Sequence, residues 1–395
     1  MAGAAAADRI AGFGTSIFTE ITRLSSEHGA VNLGQGFPDF PAPDFVKAAA
    51  ARAIAADHNQ YAAASGLPRL RAAVATHFED RHGLRPDSDS EITIGGGATE
   101  CLFDAVMALV NPGDEVIVFE PFYDAYVPAI RMAGGVPRVV TLRPPDWRWD
   151  GAQLRAAFSP RTRLCIINTP HNPTGKVFSA DELDELGELV IAHDALVLSD
   201  EVYSEILFDG ARHVPIATRP GMWDRTVTVD SLGKTFSVTG WKIGWAIAPP
   251  RLTAAIRAVH QFVTFCNATP LQEAAADALT QARSNGYFEQ LKAVYGGRRD
   301  LMAGLLRAAG LPLLPVQGAY FLLADASGLG FPDDIAFCMH LIKDIGVAAI
   351  PPSAFYADPK RAPLLARFCF AKRDETMRAA GPRLLRLAGR PARPG

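Results

Sequence analysis

The sequence predicts an α/β protein. A large domain built on a mostly parallel seven-stranded sheet wrapped by helices is joined to a smaller α+β domain. Three observations predict it. Seven short runs rich in Val, Ile and Leu recur between residues 91 and 249, several of them apolar almost throughout, as strands covered on both faces are. Helix-like segments separate most of these runs, and repeated β-α-β order builds a parallel sheet. Beyond residue 281 that alternation stops and helices and strands follow in a looser order.

The elements follow in chain order. EITIGG (91–96) reads as the first strand of the large domain, and TECLFDAVMALV (99–110) as a helix stopped by Asn111-Pro112-Gly113. DEVIVFEP (114–121), PRVVTL (137–142) and RLCIINTP (163–170) are the next strands. SADELDELGELVIAHD (179–194) opens with Ser179 and has Glu182 three residues on, the pattern of a capping box, and its leucines fall at helical spacing. ALVLSDEV (195–202), TVTVDSL (226–232) and KIGWAIAP (242–249) complete the sheet. A helical stretch over 287–308 then leads to AYFLLAD (319–325), a second helix around 333–344, GVAAIPPSAF (346–355) and RFCFAKR (367–373). The expected division is an N-terminal segment 1–40 packing with the small domain, a large domain 41–280 and a small domain 281–395.

Composition narrows the function. The chain has 395 residues, 49% hydrophobic and 21% charged, which is ordinary globular usage. A net charge of −3 offers no basic excess for a phosphate backbone, so nucleic acid is excluded as the expected partner. Five separated cysteines with no CxxC fit a reducing compartment better than a disulfide framework. No apolar run is long enough to span a bilayer, and the Ala-rich start lacks a basic region, so no membrane association is expected, the start reads as a loose N-terminus rather than a signal peptide, and a cytoplasmic location follows. No histidine pair has metal-ligand spacing, so no metal is expected.

Ligands of open α/β sheets bind beyond the carboxyl ends of the strands, and four polar clusters fall there. GGGATE (95–100) joins a strand to a helix; it suits a phosphate, and equally a tight βα turn. NTPHNPTGK (168–176) presents Asn168 and Asn172 on a rigid turn, either as donors or simply as a well-made loop. SDEVY (199–203) puts Asp200 at a strand end, where an acid is more often a cap or a solvated loop residue. SLGKTFSVTGWKIGW (231–245) carries Lys234 and Lys242 among small and aromatic residues, where an amine can be desolvated into a nucleophile. Taken together, a phosphate cradle, an acid, amide donors and an amine suit pyridoxal 5'-phosphate (PLP).

Longer stretches carry a resemblance: NLGQGFPDF (32–40), NQY (59–61), DEVIVFEPFYDAY (114–126), NTPHNPTGKVF (168–178), SDEVY (199–203), GKTFSVTGWKIGW (233–245) and RFCFAKRDET (367–376). On these the chain resembles the class I, fold-type I PLP-dependent aminotransferases over nearly its whole length. Within them it is most similar to the kynurenine, glutamine and methionine aminotransferase group. VHQFVTF and VAAIPPSAFYADP look closest to bacterial methionine aminotransferases.

The resemblance implies roles residue by residue. Lys234 matches the lysine that forms the Schiff base with the cofactor and then shuttles the substrate proton. Asp200 matches the acid that pairs with the pyridine nitrogen, Tyr203 and Asn172 the pair that hydrogen-bonds the 3' oxygen, and Phe122 the aromatic that stacks on the ring. Gly97, Ala98, Thr99, Ser231 and Lys242 match the phosphate site, with lysine at 242 where many relatives have arginine. Tyr61 matches a tyrosine that reaches the phosphate of a neighbouring subunit, which implies a homodimer with shared active sites. Arg367 matches the clamp on the substrate α-carboxylate, and Gly36 a backbone contact beside it. Phe18 stands where some relatives carry tryptophan, Phe265 matches an aromatic given by the partner subunit, and Tyr123 joins the same wall.

No match appears for a second arginine that would bind a side-chain carboxylate. The implied reaction is therefore ping-pong transfer of an amino group from a large neutral amino acid (methionine, an aromatic, glutamine or kynurenine) to a 2-oxo acid, with broad specificity. Cysteine-conjugate carbon–sulfur β-lyase and N-succinyl-diaminopimelate aminotransferase are the alternatives from the same residues. A PLP-binding regulator without catalysis is the alternative from another class.

Overall fold

The computed structural model describes residues 7–10, 13, 14 and 16–388; the rest of the expected loose N-terminus lies outside the described residues, as do 389–395. Among the described residues eleven strands are formed: β1 Val31–Asn32, β2 Ile92–Gly95, β3 Glu115–Glu120, β4 Val136–Thr141, β5 Thr162–Asn168, β6 Leu196–Asp200, β7 Thr226–Ser231, β8 Gly244–Ile247, β9 Phe321–Asp325, β10 Val347–Ala348 and β11 Leu365–Cys369. The central sheet runs β2-β8-β7-β6-β5-β3-β4, parallel except at β8, which is antiparallel to both its neighbours. It is the expected seven-stranded, mostly parallel sheet. Its central strands are buried along their whole lengths, which is why they lack polar alternation.

Helices cover both faces, and two apolar layers fill the gaps. Cys101, Leu102, Val106, Val118 and Leu198 pack on one side of the sheet, and Ile117, Ile167, Leu183, Leu186 and Val197 on the other. The capping box forms as read: the Ser179 hydroxyl accepts from the Glu182 N–H, and the Glu182 carboxylate accepts from the Ser179 N–H, opening the helix Ala180–Ala192.

Beyond the sheet, β11 pairs antiparallel with β9, and β1 pairs in parallel with β10. The helix Ile17–Glu27 buries Ile21 and Leu24 against Ile342, Ile350 and Phe355. The N-terminal segment is thus paired to chain more than 300 residues away in sequence. Two expectations shift. GVAAIPPSAF gives only the two-residue β10, because Pro351 and Pro352 remove the N–H groups that a longer ladder needs. Strand β8 begins at Gly244 rather than Lys242, because Lys242 adopts a left-handed backbone (φ 54°) that ends the preceding turn.

Candidate active site

The carboxyl ends of β5, β6 and β7 open onto a cavity of about 220 Å³. Register brings two of its polar groups together. Asn168 and Asp200 are direct partners across β5 and β6, and the Asn168 amide donates to the Asp200 carbonyl at 2.8 Å. The Asn168 Oδ1 accepts the Asn172 N–H at 2.6 Å, which fixes the loop that carries Asn172.

At one end lies an anion cradle. Gly97 precedes the helix Ala98–Leu109 with φ 77°, and the first-turn N–H groups of Ala98 and Thr99 have no partner within their own helix. A Cβ on Gly97 would sit 3.1 Å from the Lys242 ammonium, so glycine keeps the cradle open. Gly244 is equally constrained, because a Cβ there would meet the Gly97 and Ala98 backbone at 2.6 Å. Ser231 and Lys242 complete the lining.

In the middle stand Asp200, Tyr203 and Lys234. Asp200 is buried, and burial pushes its carboxyl up to about 6; a hydrogen bond from the Tyr126 hydroxyl at 2.6 Å works against that rise. Lys234 sits on the short helix Leu232–Thr235, with its ammonium 5.7 Å from the Tyr203 ring centre and 5.8 Å from that of Tyr320. Burial brings Lys234 down to about 8, against the pull of Asp200.

At the far end Arg367, on β11, is 1% exposed. It donates to the Asn172 side-chain oxygen at 2.8 Å and to the Gly34 carbonyl at 3.0 Å. A guanidinium has five N–H groups, so donors remain for a ligand, and the Arg367 Nε has no partner among the described residues. Phe321, Phe355 and Phe18 surround its plane. Gly36 is held alongside, its carbonyl accepting from the Tyr320 hydroxyl at 2.7 Å.

The cavity therefore gathers Gly36, Phe18, Gly97, Ala98, Thr99, Asn172, Asp200, Tyr203, Ser231, Lys234, Lys242 and Arg367. Phe122 is not among them and corrects one expectation. Its side chain packs into the core beside the sheet and its N–H donates to the Phe355 carbonyl, whereas the neighbouring Tyr123 lines the cavity. The chain turns sharply after β3, so adjacent aromatics face opposite ways. Tyr61 and Phe265 also lie outside the cavity. Tyr61 is 84% exposed and meets Phe265 edge to face at 5.4 Å, and neither ring lines this chain's own cavity.

Sequence reasoning missed Tyr126 and Phe321. Tyr126 lies within the DEVIVFEPFYDAY stretch, but its hydrogen bond to Asp200 joins residues 74 apart and has no local pattern. The donor set fits PLP. A cationic cradle at a helix N-terminus suits a phosphate, an ionisable acid suits a ring nitrogen, a desolvated lysine suits an aldehyde, and the uncommitted guanidinium donors suit a substrate carboxylate.

Comparison with known proteins agrees with this geometry. Residues 28–383 match the family described as aminotransferase class I and II. The methionine aminotransferase of Escherichia coli (strain K12) is 44% identical over 95% of this chain and 96% of its own length. The kynurenine–oxoglutarate transaminase of Dictyostelium discoideum is 41% identical over 95% of this chain and 94% of its own. The solved structure of N-succinyldiaminopimelate aminotransferase from Mycobacterium tuberculosis superposes with a TM-score of 0.93 at 43% identity, covering 97% of this chain and all of that one. With the family match spanning most of its length and an α/β architecture shared with fold-type I enzymes, the chain belongs to the class I and II aminotransferases, a PLP-dependent family.

Proposed function

We propose that this aminotransferase holds PLP in the cavity described above and takes large neutral amino acids as donors, methionine and the aromatic amino acids foremost. The observation that carries the reading is the cavity's charge. Its cationic side chains are Lys234, Lys242 and Arg367, and the first two serve the cofactor. One guanidinium is left for the α-carboxylate and none for an acidic side chain. Phe18, Tyr123 and Phe321 make the rest of the wall apolar or aromatic. A succinylated dicarboxylic donor needs a further basic group, and Lys372, which reaches the lining residue Phe37, is buried with its ammonium committed to the Phe37 carbonyl.

PLP, when bound, supplies an electron sink for the carbanion formed at the substrate Cα. The chain's own residues do the rest. Lys242, Ser231 and the Gly97–Thr99 backbone hold the phosphate. Asp200 holds a proton on the ring nitrogen, and Asn172 and Tyr203 hold the 3' oxygen. Tyr123, rather than Phe122, packs against the ring. Arg367 fixes the substrate carboxylate and Gly36 flanks it. Lys234 moves the proton from the substrate Cα. Two subunits complete each site, Tyr61 reaching the partner's phosphate and Phe265 closing the partner's side-chain pocket; the exposure of both rings supports this. The division into residues 1–40, 41–280 and 281–395 and a cytoplasmic location belong to the same proposal. Among the described residues no helix is long and apolar enough to cross a membrane.

The test is the visible spectrum of the PLP-loaded protein on adding L-methionine without an oxo acid. Conversion of the cofactor band to the pyridoxamine form is the expected result. A persistent band with ammonia and an oxo acid accumulating identifies a β-lyase instead, and absence of any cofactor band after PLP is added overturns the reading.

Tyr126→Phe gives a second check. The variant removes a hydrogen bond to a charged acceptor, worth about 1.5–3 kcal/mol, so kcat/KM at pH 7 is expected to fall about tenfold or more. Losing a donor disfavours the ionised form, so the Asp200 carboxyl rises from its value of about 6 and the acid limb of the pH profile moves to higher pH. Superimposable profiles for the two proteins count against the role.

A further inference from the structure

Among the ionisable groups outside the cavity, Glu100, Asp104 and His260 form a largely buried cluster beside the anion cradle. Glu100 and Asp104 stand one turn apart on the helix Ala98–Leu109, the helix whose N-terminus forms the anion cradle. Between them sits His260, 1% exposed, from the last turn of the helix Pro250–Val263. The His260 Nδ1 lies 3.0 Å from a Glu100 oxygen and 3.4 Å from an Asp104 oxygen, so a proton there serves both carboxylates. Burial lowers the imidazole, but its hydrogen bonds with Asp104 and Glu100 outweigh that and push it up to about 9. The imidazole is thereby clamped between two acids.

The cluster has two outlets. On one side the second Glu100 oxygen accepts the N–H of Gly96, next to Gly97 of the cradle. On the other, the His260 carbonyl accepts from the Thr264 N–H at 3.1 Å and the Phe265 N–H at 3.0 Å. These two bonds end the helix and hold Phe265 in a left-handed backbone (φ 68°), a conformation costly for an aromatic residue without such support. Phe265 in turn meets Tyr61 edge to face.

We infer that His260 is a positioning residue, clamped by Glu100 and Asp104, which ties the phosphate cradle of its own site to the aromatic edge, Phe265 and Tyr61, that the same chain presents to its partner. The inference rests on the PLP and homodimer reading above. One ion triad thereby sets two sites at once: cofactor affinity in its own subunit and the side-chain pocket of the other. His260 touches neither cofactor nor substrate and acts through Gly96 and Phe265.

The test compares wild type with His260→Gln as purified homodimers. Equilibrium titration with PLP and with pyridoxal, which lacks the phosphate, separates cradle geometry from general loosening. The variant is expected to bind PLP about tenfold more weakly and pyridoxal about as wild type does, while KM for L-phenylalanine rises about fivefold and kcat stays within about twofold. Should His260→Gln fail to fold, Glu100→Gln carries the same comparison, because it keeps an acceptor for Gly96 and removes the charge that clamps His260. Unchanged PLP affinity and KM overturn the inference, as does an equal loss for PLP and pyridoxal. Stoichiometric binding of Zn²⁺ by wild type and not by the variant overturns it in favour of a metal site, since the three side chains place ligand atoms within 4.8 Å of one another. Wild-type protein that captures no PLP overturns the cofactor reading itself; normal wild-type capture with an unaltered variant overturns this inference alone.

Discussion

Replacing Lys234 with alanine is expected to lower turnover by about 10⁴-fold or more, the upper end of what a positioned acid–base group supplies, because the same amine also anchors the cofactor. The reason is local. Lys234 projects from the short helix after β7 toward Tyr203 and Tyr320, and desolvation brings its ammonium down to about 8. A lowered value means that more of the amine is neutral near pH 7.5, and the neutral amine is the nucleophile. Capture of PLP by the apo-protein should therefore quicken by about tenfold per pH unit below 8 and level off above it. Stopped-flow absorbance over pH 6–9 checks the slope, and a flat profile contradicts it. Burial of the Lys234 ammonium is unfavourable and Asp200 offsets it only in part, so the melting temperature of Lys234→Ala should stay near that of wild type. The alanine protein should still hold PLP through the cradle but lose it on gel filtration. Turnover within tenfold of wild type would remove Lys234 from the reaction.

Much of this site is legible in the sequence, and the parts that are not share a physical cause. The sheet could be read because its strands are buried on both faces and are apolar throughout, and because glycine, proline and capping residues punctuate the helices between them. Lys234, Asp200 and Asn172 could be placed because each stands at or just beyond the end of a strand, and those strands end at the same edge. Phe122 was misread because β3 ends just before it: once the chain leaves the ladder, strand alternation no longer says which of two adjacent aromatics faces inward, and it is Tyr123 that does. Lys242 continues an apolar run that looks like strand, yet its left-handed backbone turns the ammonium into the cradle. Tyr126 and His260 act through hydrogen bonds between elements 74 and 160 residues apart, and no local periodicity records such pairings. Arg367 is the sharpest case. By composition it is a surface charge, and in the fold it is almost fully enclosed, with partners from residues 172 and 34.

That enclosure makes Arg367→Ala the second large expected effect. The guanidinium is already oriented by Asn172 and Gly34 and braced by Phe321, so it meets a carboxylate without having to be ordered first. Truncating a buried, hydrogen-bonded charge partner costs about 2–5 kcal/mol, so kcat/KM for L-methionine should fall by roughly 10²–10³-fold, mostly through KM. Two controls separate binding from structure. Arg367→Lys keeps the charge but loses the planar fork, and should recover only part of the activity. The amine that lacks the carboxylate of methionine should bind wild type and Arg367→Ala about equally, because the clamp has nothing to grip. The alanine variant also leaves Asn172 without its partner and opens space among three phenylalanines, so its melting temperature should fall as well. If the amine and the amino acid lose affinity in parallel, Arg367 shapes the pocket without recognising the carboxylate. If only the amino acid suffers, the charge that composition would place on the surface is the group that orients the substrate.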